Sequence, residues 1–356
     1  MNQEVTGWTA VRGIAALWVL MHHFKPHFGS VLDNNPILIN GHLSVDLFFI
    51  LSGAVMYYVY AERIKDGKVS WTSYMWKRIA RIYPVHIFSL ILATLILGLG
   101  PRLGFGAPVD YSMPEAFFLN FFSLHSLGTM DSLSLNYPSW SVSAELSAYV
   151  IFIPLALLGL KIPVKLSPIV GILVFVGSYY LYDFAAPQSL IDSGGESLVH
   201  LTYQFSFLRI WPSFFLGLCM LRWVLSMEKL SPNTSLILTG LLVAVAIVCA
   251  HHKYEVVYVI TSASIIALLY LSTYKVHPWL IFMGRISYSF YMVHALIEMV
   301  GFKLIERVFG YADDQVPIIW LPFMIGITIL AGYLTWRYIE EPGRKYMARM
   351  WVPKPA

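Results

Sequence analysis

Long apolar runs alternate along the chain with short clusters of charge, and the spacing of the clusters sets the elements. Apolar stretches near 20 residues, the length that crosses about 30 Å of hydrocarbon, recur at 6–28, 41–61, 79–100, 137–160, 167–184, 203–224, 234–251, 255–274, 282–303 and 316–338. This pattern predicts an all-α integral membrane protein of about ten transmembrane helices. A further apolar piece at 117–127 is too short to span and reads as a re-entrant or interfacial segment. No repeat, low-complexity tract or soluble domain interrupts the series. The expected organisation is one transmembrane domain over 1–338 followed by a short cytoplasmic tail, 339–356.

Composition narrows the class. Of 356 residues, 58% are hydrophobic and only 12% charged, against about 25% charged in a soluble domain. The chain therefore has too little polar surface to fold as a soluble enzyme. Its net charge of +4 does not point to nucleic acid, because no basic stripe with interleaved aromatics is present. The two cysteines, Cys219 and Cys249, lie inside apolar runs and read as small core hydrophobes. The first apolar run has no small-residue cleavage site and is expected to stay as a helix.

Basic residues fix the expected orientation. With both termini cytoplasmic, seventeen lysines and arginines fall in inner segments, among them Arg63, Lys65, Lys77, Arg78, Arg81, Arg285 and Arg344. Five fall outside: Lys25, Arg102, Lys253, Lys303 and Arg307. That excess of inner positive charge is the topogenic signature of a multi-pass protein of the inner or plasma membrane.

Ionisable residues at membrane depth carry the candidate chemistry, since each costs about 2.5–3.5 kcal/mol to insert. Arg12 and His23 stand eleven residues apart on one apolar helix. Eleven steps of 100° nearly complete three turns, so the two share a face about 16 Å apart along the axis. Asp46 lies at a depth similar to that of His23, where it either orients the imidazole or caps its own helix. Arg78 and Arg81 are three apart and so share a helix face, the arrangement that grips a phosphate. Glu145 and Arg209 are the remaining deep charges; Arg209 either meets the substrate or pairs with Glu145. Ser287 and His294 line the same cavity or make interhelical hydrogen bonds, and Trp140 is an aromatic at the outer boundary.

These segments resemble a known family. Arg12, Gly13, Ala15 and Ala16 through His23; Asp46, Leu47, Phe48, Phe49, Ser52 and Gly53; and Arg78 and Arg81 before Tyr83 and Pro84 are similar to the first three helices of the acyltransferase-3 family of membrane O-acyltransferases. The likeness continues in Trp140, Ser141, Ser143 and Glu145, in Arg209 with Phe214 to Gly217, in Ser287, Tyr288, Tyr291 and His294, and in Glu340, Glu341, Pro342 and Arg344. The first helix departs from the family's frequent Leu-Asp-Gly-Leu-Arg start, reading Trp8, Thr9, Ala10, Val11, Arg12, so any role of that early aspartate is absent.

The resemblance implies ten helices, a cytoplasmic acyl-coenzyme A donor, and transfer of the acyl group, acetyl by family habit, to a hydroxyl across the membrane. The acceptor is then a cell-surface or lipid-linked glycan or a small exported molecule. Carried over by position, His23 is the catalytic residue, acting as general base with Asp46 or Glu145 orienting it, or as nucleophile. Arg12, Arg78 and Arg81 match the motifs expected to hold the donor, and Arg209, Ser287, His294 and Trp140 are expected around the cavity. Neither a resident cofactor nor a metal is expected, since acyl-coenzyme A is a substrate. Many members carry an extra extracytoplasmic domain; a chain ending at Ala356 is expected to act alone or with separate envelope-biosynthesis proteins. The alternative is a proton-coupled secondary transporter using the same charges as a relay, but the related halves of such folds are not visible.

Overall fold

The computed structural model describes residues 4–104, 108–312 and 314–350, and among these the chain is all helix and turn, with no strand. Ten helices of 16 residues or more overlap the ten predicted stretches: α1 (Thr6–Phe24), α2 (Ser44–Lys65), α3 (Trp71–Leu99), α4 (Trp140–Lys161), α5 (Ser167–Ala185), α6 (Phe207–Val224), α7 (Pro232–His252), α8 (Glu255–Leu271), α9 (Pro278–Phe309) and α10 (Trp320–Thr335). Seven of them, α2 to α7 and α9, are long and apolar enough to cross a membrane. The protein is thus a multi-pass membrane protein whose length and hydropathy account for seven of the ten expected spans. Of the other three, α8 has 17 residues and α10 has 16, and α1 carries Arg12, His22 and His23.

Local signals explain several helix ends. Ser231 caps α7 by accepting from the Thr234 amide at 3.2 Å, and α9 starts at Pro278, whose missing N–H costs nothing at that position, with His277 Nδ1 accepting from the Trp279 amide. Two boundaries differ from expectation. The third helix starts at Trp71 instead of 79, and the ninth runs from Pro278 to Phe309 instead of 282–303. In both, basic residues taken as boundary markers sit inside the helix. The piece expected at 117–127 begins earlier, as a helix over Met113–Phe121, and then leaves helical geometry. Its nine residues span only about 14 Å, so it does not cross. The segment expected as a tail continues α10 through a π-helical turn, Trp336–Glu340, into a helix over Glu341–Met350 that packs on α3; residues 351–356 lie outside the described residues.

Helices α2, α6 and α9 form the interior, with about 70% of their apolar windows buried, whereas α5 and α7 bury only 17% and turn most of their surface to lipid. Two close crossings organise this core. Along α1 and α9, Gly13 faces the backbone of Met283 and Gly284, while Gly284 in turn faces the Thr9 carbonyl. Along α2 and α6, Gly53 meets the Phe214 carbonyl and Gly217 the Ile50 carbonyl. Lipid supplies no hydrophobic drive for helix association, so such backbone contact through small residues is what brings the pairs together. Gly284→Val is therefore expected to abolish recovery of folded protein in size-exclusion profiles. Gly240→Ala on α7, where an added Cβ meets nothing, should leave the profile unchanged.

Candidate functional site

The crossing of α1 on α9 sets Arg12 at the edge of an interior cavity, with its Nη2 donating to the Gly284 carbonyl at 2.7 Å. The cavity, about 200 Å³, lies between α1, α2, α3, α4 and α9 and is lined by Arg12, Arg78, Arg81, Glu145 and Ser287 together with Ser52, Tyr149, Tyr288 and Tyr291. Five predicted residues thus share one space although 275 positions separate the first from the last.

Each charge in the cavity is held. Glu145 Oε1 accepts from the Tyr149 hydroxyl, one turn along α4, at 2.6 Å, and from the Ser52 hydroxyl of α2. The Arg78 guanidinium lies 5.7 Å from the Tyr60 ring and 5.9 Å from the Tyr149 ring, a cation–π cradle. Arg81 faces Tyr288 at 5.7 Å and forms an ion pair with the fully buried Glu340. Glu340 is presented inward by the π-helical turn, whose extra residue re-aims the side chain, and it also accepts from the Ser289 hydroxyl.

A second cavity of about 370 Å³ shares Arg12 and Arg81 with the first and adds Arg285, Arg344, Glu340, Glu341 and Trp336. Arg285 and Arg344, counted among the inner basic residues, thus stand beside the half-buried Arg12 and Arg81.

His23 lies elsewhere. Its ring is 4.8 Å from the Tyr137 ring and 5.2 Å from that of His294. Tyr137 donates to Glu298, whose other oxygen is 3.3 Å from His27 Nε2. The His294 Nδ1 meets the Tyr291 carbonyl one turn back, while its Nε2 is buried with no hydrogen-bond partner among the described residues. Tyr291 is the link between the two groups. Its hydroxyl lies 2.9 Å from Ser141 Oγ, its ring lines the cavity, and that ring stands 5.5 Å from His294. Tyr291 and Phe48, 6.1 Å apart, both line the arginine cavity.

The expected pairings of Asp46 and Arg209 are corrected. Asp46 does not orient His23, and Arg209 does not pair with Glu145. The two residues instead grip one another, Nη2 to Oδ2 at 2.6 Å and Nε to Oδ1 at 3.1 Å, both essentially unexposed. The guanidinium also donates to the carbonyls of His42 and Leu201, at 3.0 and 3.2 Å, and lies 5.2 Å from the Trp140 ring. Bidentate pairing of this kind satisfies both charges, so Asp46, Arg209 and Trp140 form a clamp beside the site and do not line the cavity.

The sequence assigned no site role to Tyr149, Tyr288, Tyr137, Glu298 or Glu340, although Tyr288 and Glu340 stand in segments that carry the family resemblance. A signal existed for the first, which stands at i+4 from Glu145 on one helix face, and Tyr288, Tyr291 and His294 repeat at i+3. Nothing local marked Glu340 as buried, because its inward aim depends on the π-helical turn.

Residues 5–337 match the family described as an acyltransferase domain, acyltransferase-3. The acyltransferase MdmB of Streptomyces mycarofaciens is 26% identical over 387 residues, which cover 96% of this chain and 92% of that protein. A Staphylococcus aureus (strain COL) protein bearing an O-acetyltransferase name is 25% identical over 373 residues, covering 96% of this chain and 57% of its own length. Protein 2 in the picA locus of Rhizobium radiobacter is 32% identical over 100 residues, 28% of this chain and 49% of that protein. The chain spans about half the length of these last two relatives. No solved structure matches it.

Proposed function

Since the chain belongs to the acyltransferase-3 family, we propose that it is a membrane O-acyltransferase, moving an acyl group, acetyl in the first instance, from cytoplasmic acyl-coenzyme A to a hydroxyl of an extracytoplasmic glycan or small exported acceptor. The observation that carries this reading is the pair of cavities joined through Arg12 and Arg81. Arg285 and Arg344 at the outer rim of the pair, with Arg12, Arg78 and Arg81 within, form a graded cationic path suited to the phosphates of coenzyme A. All five belong to segments that the positive-inside pattern assigns to the cytoplasm or to helices entered from it, in a ten-span arrangement with both termini inside.

Coenzyme A carries its phosphates at one end and its thioester at the other, about 20 Å away when extended. Arg12 and His23 are about 16 Å apart along α1. Phosphates held at the arginines therefore bring the thioester to the level of Tyr291 and His23, with movement of the Phe48 and Tyr291 side chains opening the last step. His23 then takes the proton of the acceptor hydroxyl as it attacks the thioester carbonyl. The acyl–oxygen bond forms, the carbon–sulfur bond breaks, and the thiolate of coenzyme A leaves on the cytoplasmic side. Glu145, held by two hydroxyls, fixes the wall of the donor channel, and the nearby Tyr137, paired to Glu298, offers a hydroxyl-lined surface at the acceptor side.

Donor binding tests this directly. Acetyl-coenzyme A should raise the melting temperature of the purified protein, and Arg78→Ala should weaken its affinity by about tenfold or more, the value of one lost charge-assisted contact of about 1.5–3 kcal/mol. Absence of stabilisation in the wild type, together with substrate transport into liposomes without any donor, would overturn the reading.

A further inference from the structure

At the end of the bundle that holds His23, a second set of polar residues lies outside the proposed reaction path. His42 sits in the turn before α2, His200 in the turn before α6, and Glu255 at the first residue of α8. One ligand atom from each lies within 4.8 Å of the others. We infer that His42, His200 and Glu255 form a binding site for a divalent transition-metal ion of the zinc type.

Two features of the geometry argue for a ligand, beside the 2.8 Å contact of His200 Nδ1 with the Ser197 hydroxyl. His42 Nε2 is buried with no hydrogen-bond partner among the described residues, which is costly for a polar atom and leaves a nitrogen aimed at the cluster to be satisfied. The Glu255 carboxylate is already oriented: Oε2 accepts from the Tyr179 and Ser197 hydroxyls at 2.8 and 2.7 Å, so that Oε1, 3.6 Å from His200 Nδ1, is the oxygen left for a new bond. Such outer-shell support of a ligating carboxylate is a regular feature of metal sites.

The donor set selects the ion. Two imidazoles and a carboxylate suit zinc and its neighbours in the first transition row, and neither the all-oxygen preference of calcium and magnesium nor the thiolate preference of copper(I) is met. Bonds of about 2.0–2.2 Å around a tetrahedral ion need donors about 3.4 Å apart. Each donor must move inward by less than about 1 Å, within reach of side-chain rotation. Three protein ligands leave a fourth position for water. The ion would tie together three segments distant in sequence, two of which, through the carbonyls of His42 and Leu201, are the ones gripped by Arg209. The His42 ring also lies 5.9 Å from that of His22, next to His23, so the ion would brace the floor beneath the proposed catalytic end of α1.

Metal binding at these three residues can be measured without acyl transfer. Purified protein in detergent, stripped with a chelator and titrated with zinc chloride, should bind one equivalent. Cobalt(II) in its place should give the visible ligand-field bands of a four- or five-coordinate site with nitrogen and oxygen ligands. Glu255→Gln and His200→Ala should each abolish the cobalt bands, while Tyr179→Phe, which removes only an orienting hydroxyl, should weaken zinc by about 10–100-fold. Failure of the wild-type protein to bind zinc, or binding and cobalt spectra unchanged by Glu255→Gln, would overturn it. Should His200→Ala fail to fold, the wild-type spectrum and the conservative Glu255→Gln variant still decide.

Discussion

Replacing His23 with alanine should lower acyl transfer by about 10²–10⁴-fold, the usual contribution of a positioned general base, with the donor-induced rise in melting temperature retained. The split between the two readouts is the informative part. His23 is on the arginine face of α1 but does not line the arginine cavity, so under the proposed reaction its loss should remove chemistry and leave donor binding. Its surroundings suit a proton-handling group: the Tyr137 ring at 4.8 Å, the His294 ring at 5.2 Å, and Glu298 bonded to Tyr137. Mass spectrometry of surface glycans from cells carrying wild-type or His23→Ala protein measures the effect as loss of one acetyl mass, and the modified species identifies the acceptor. Transfer within about tenfold of wild type would remove His23 from the reaction. A labelled acyl-enzyme trapped in the wild type and absent from His23→Asn would instead assign the imidazole a nucleophilic role.

How much of this site was legible beforehand depended on whether the deciding geometry was local. Helical periodicity alone placed Arg12 and His23 on one face and Arg78 with Arg81 on another, because positions on a single helix are fixed by 100° steps. The helices themselves followed from hydropathy, except where charge served as a boundary marker: Arg78 and Arg81 lie well inside α3 because they face a cavity between helices and not the lipid. Pairings between helices were out of reach. Four deep charges, Arg12, Asp46, Glu145 and Arg209, admit several mutual pairings, and hydropathy carries no information on which helix faces which. The Gly53 and Gly217 contacts supply it, since they fix α2 against α6 and so bring Asp46 to Arg209 across 163 positions. Glu340 stayed hidden for a related reason: it follows an apolar helix as tail residues do, and only the π-helical turn directs it to Arg81.

The clamp between Asp46 and Arg209 should prove the most stability-critical pair in the protein. Asp46→Asn or Arg209→Met alone leaves one buried charge without its partner, and breaking a buried pair in this way costs about 3–5 kcal/mol. The cost falls at a sensitive place, because the guanidinium also ties down the backbone at His42 and Leu201, and thus the turns entering α2 and preceding α6. Combining Asp46→Leu with Arg209→Met removes both charges together and should recover much of the loss, since an apolar pair of similar volume often matches a buried ion pair. Melting temperature and the folded fraction in size-exclusion profiles measure all three variants. The expected order is wild type, then the double variant, then either single one. Single variants that melt with the wild type would show that the pair contributes little to stability. A double variant that is stable yet inactive would locate in Arg209 a direct part in the reaction, beyond the clamp, through the face it turns toward Trp140.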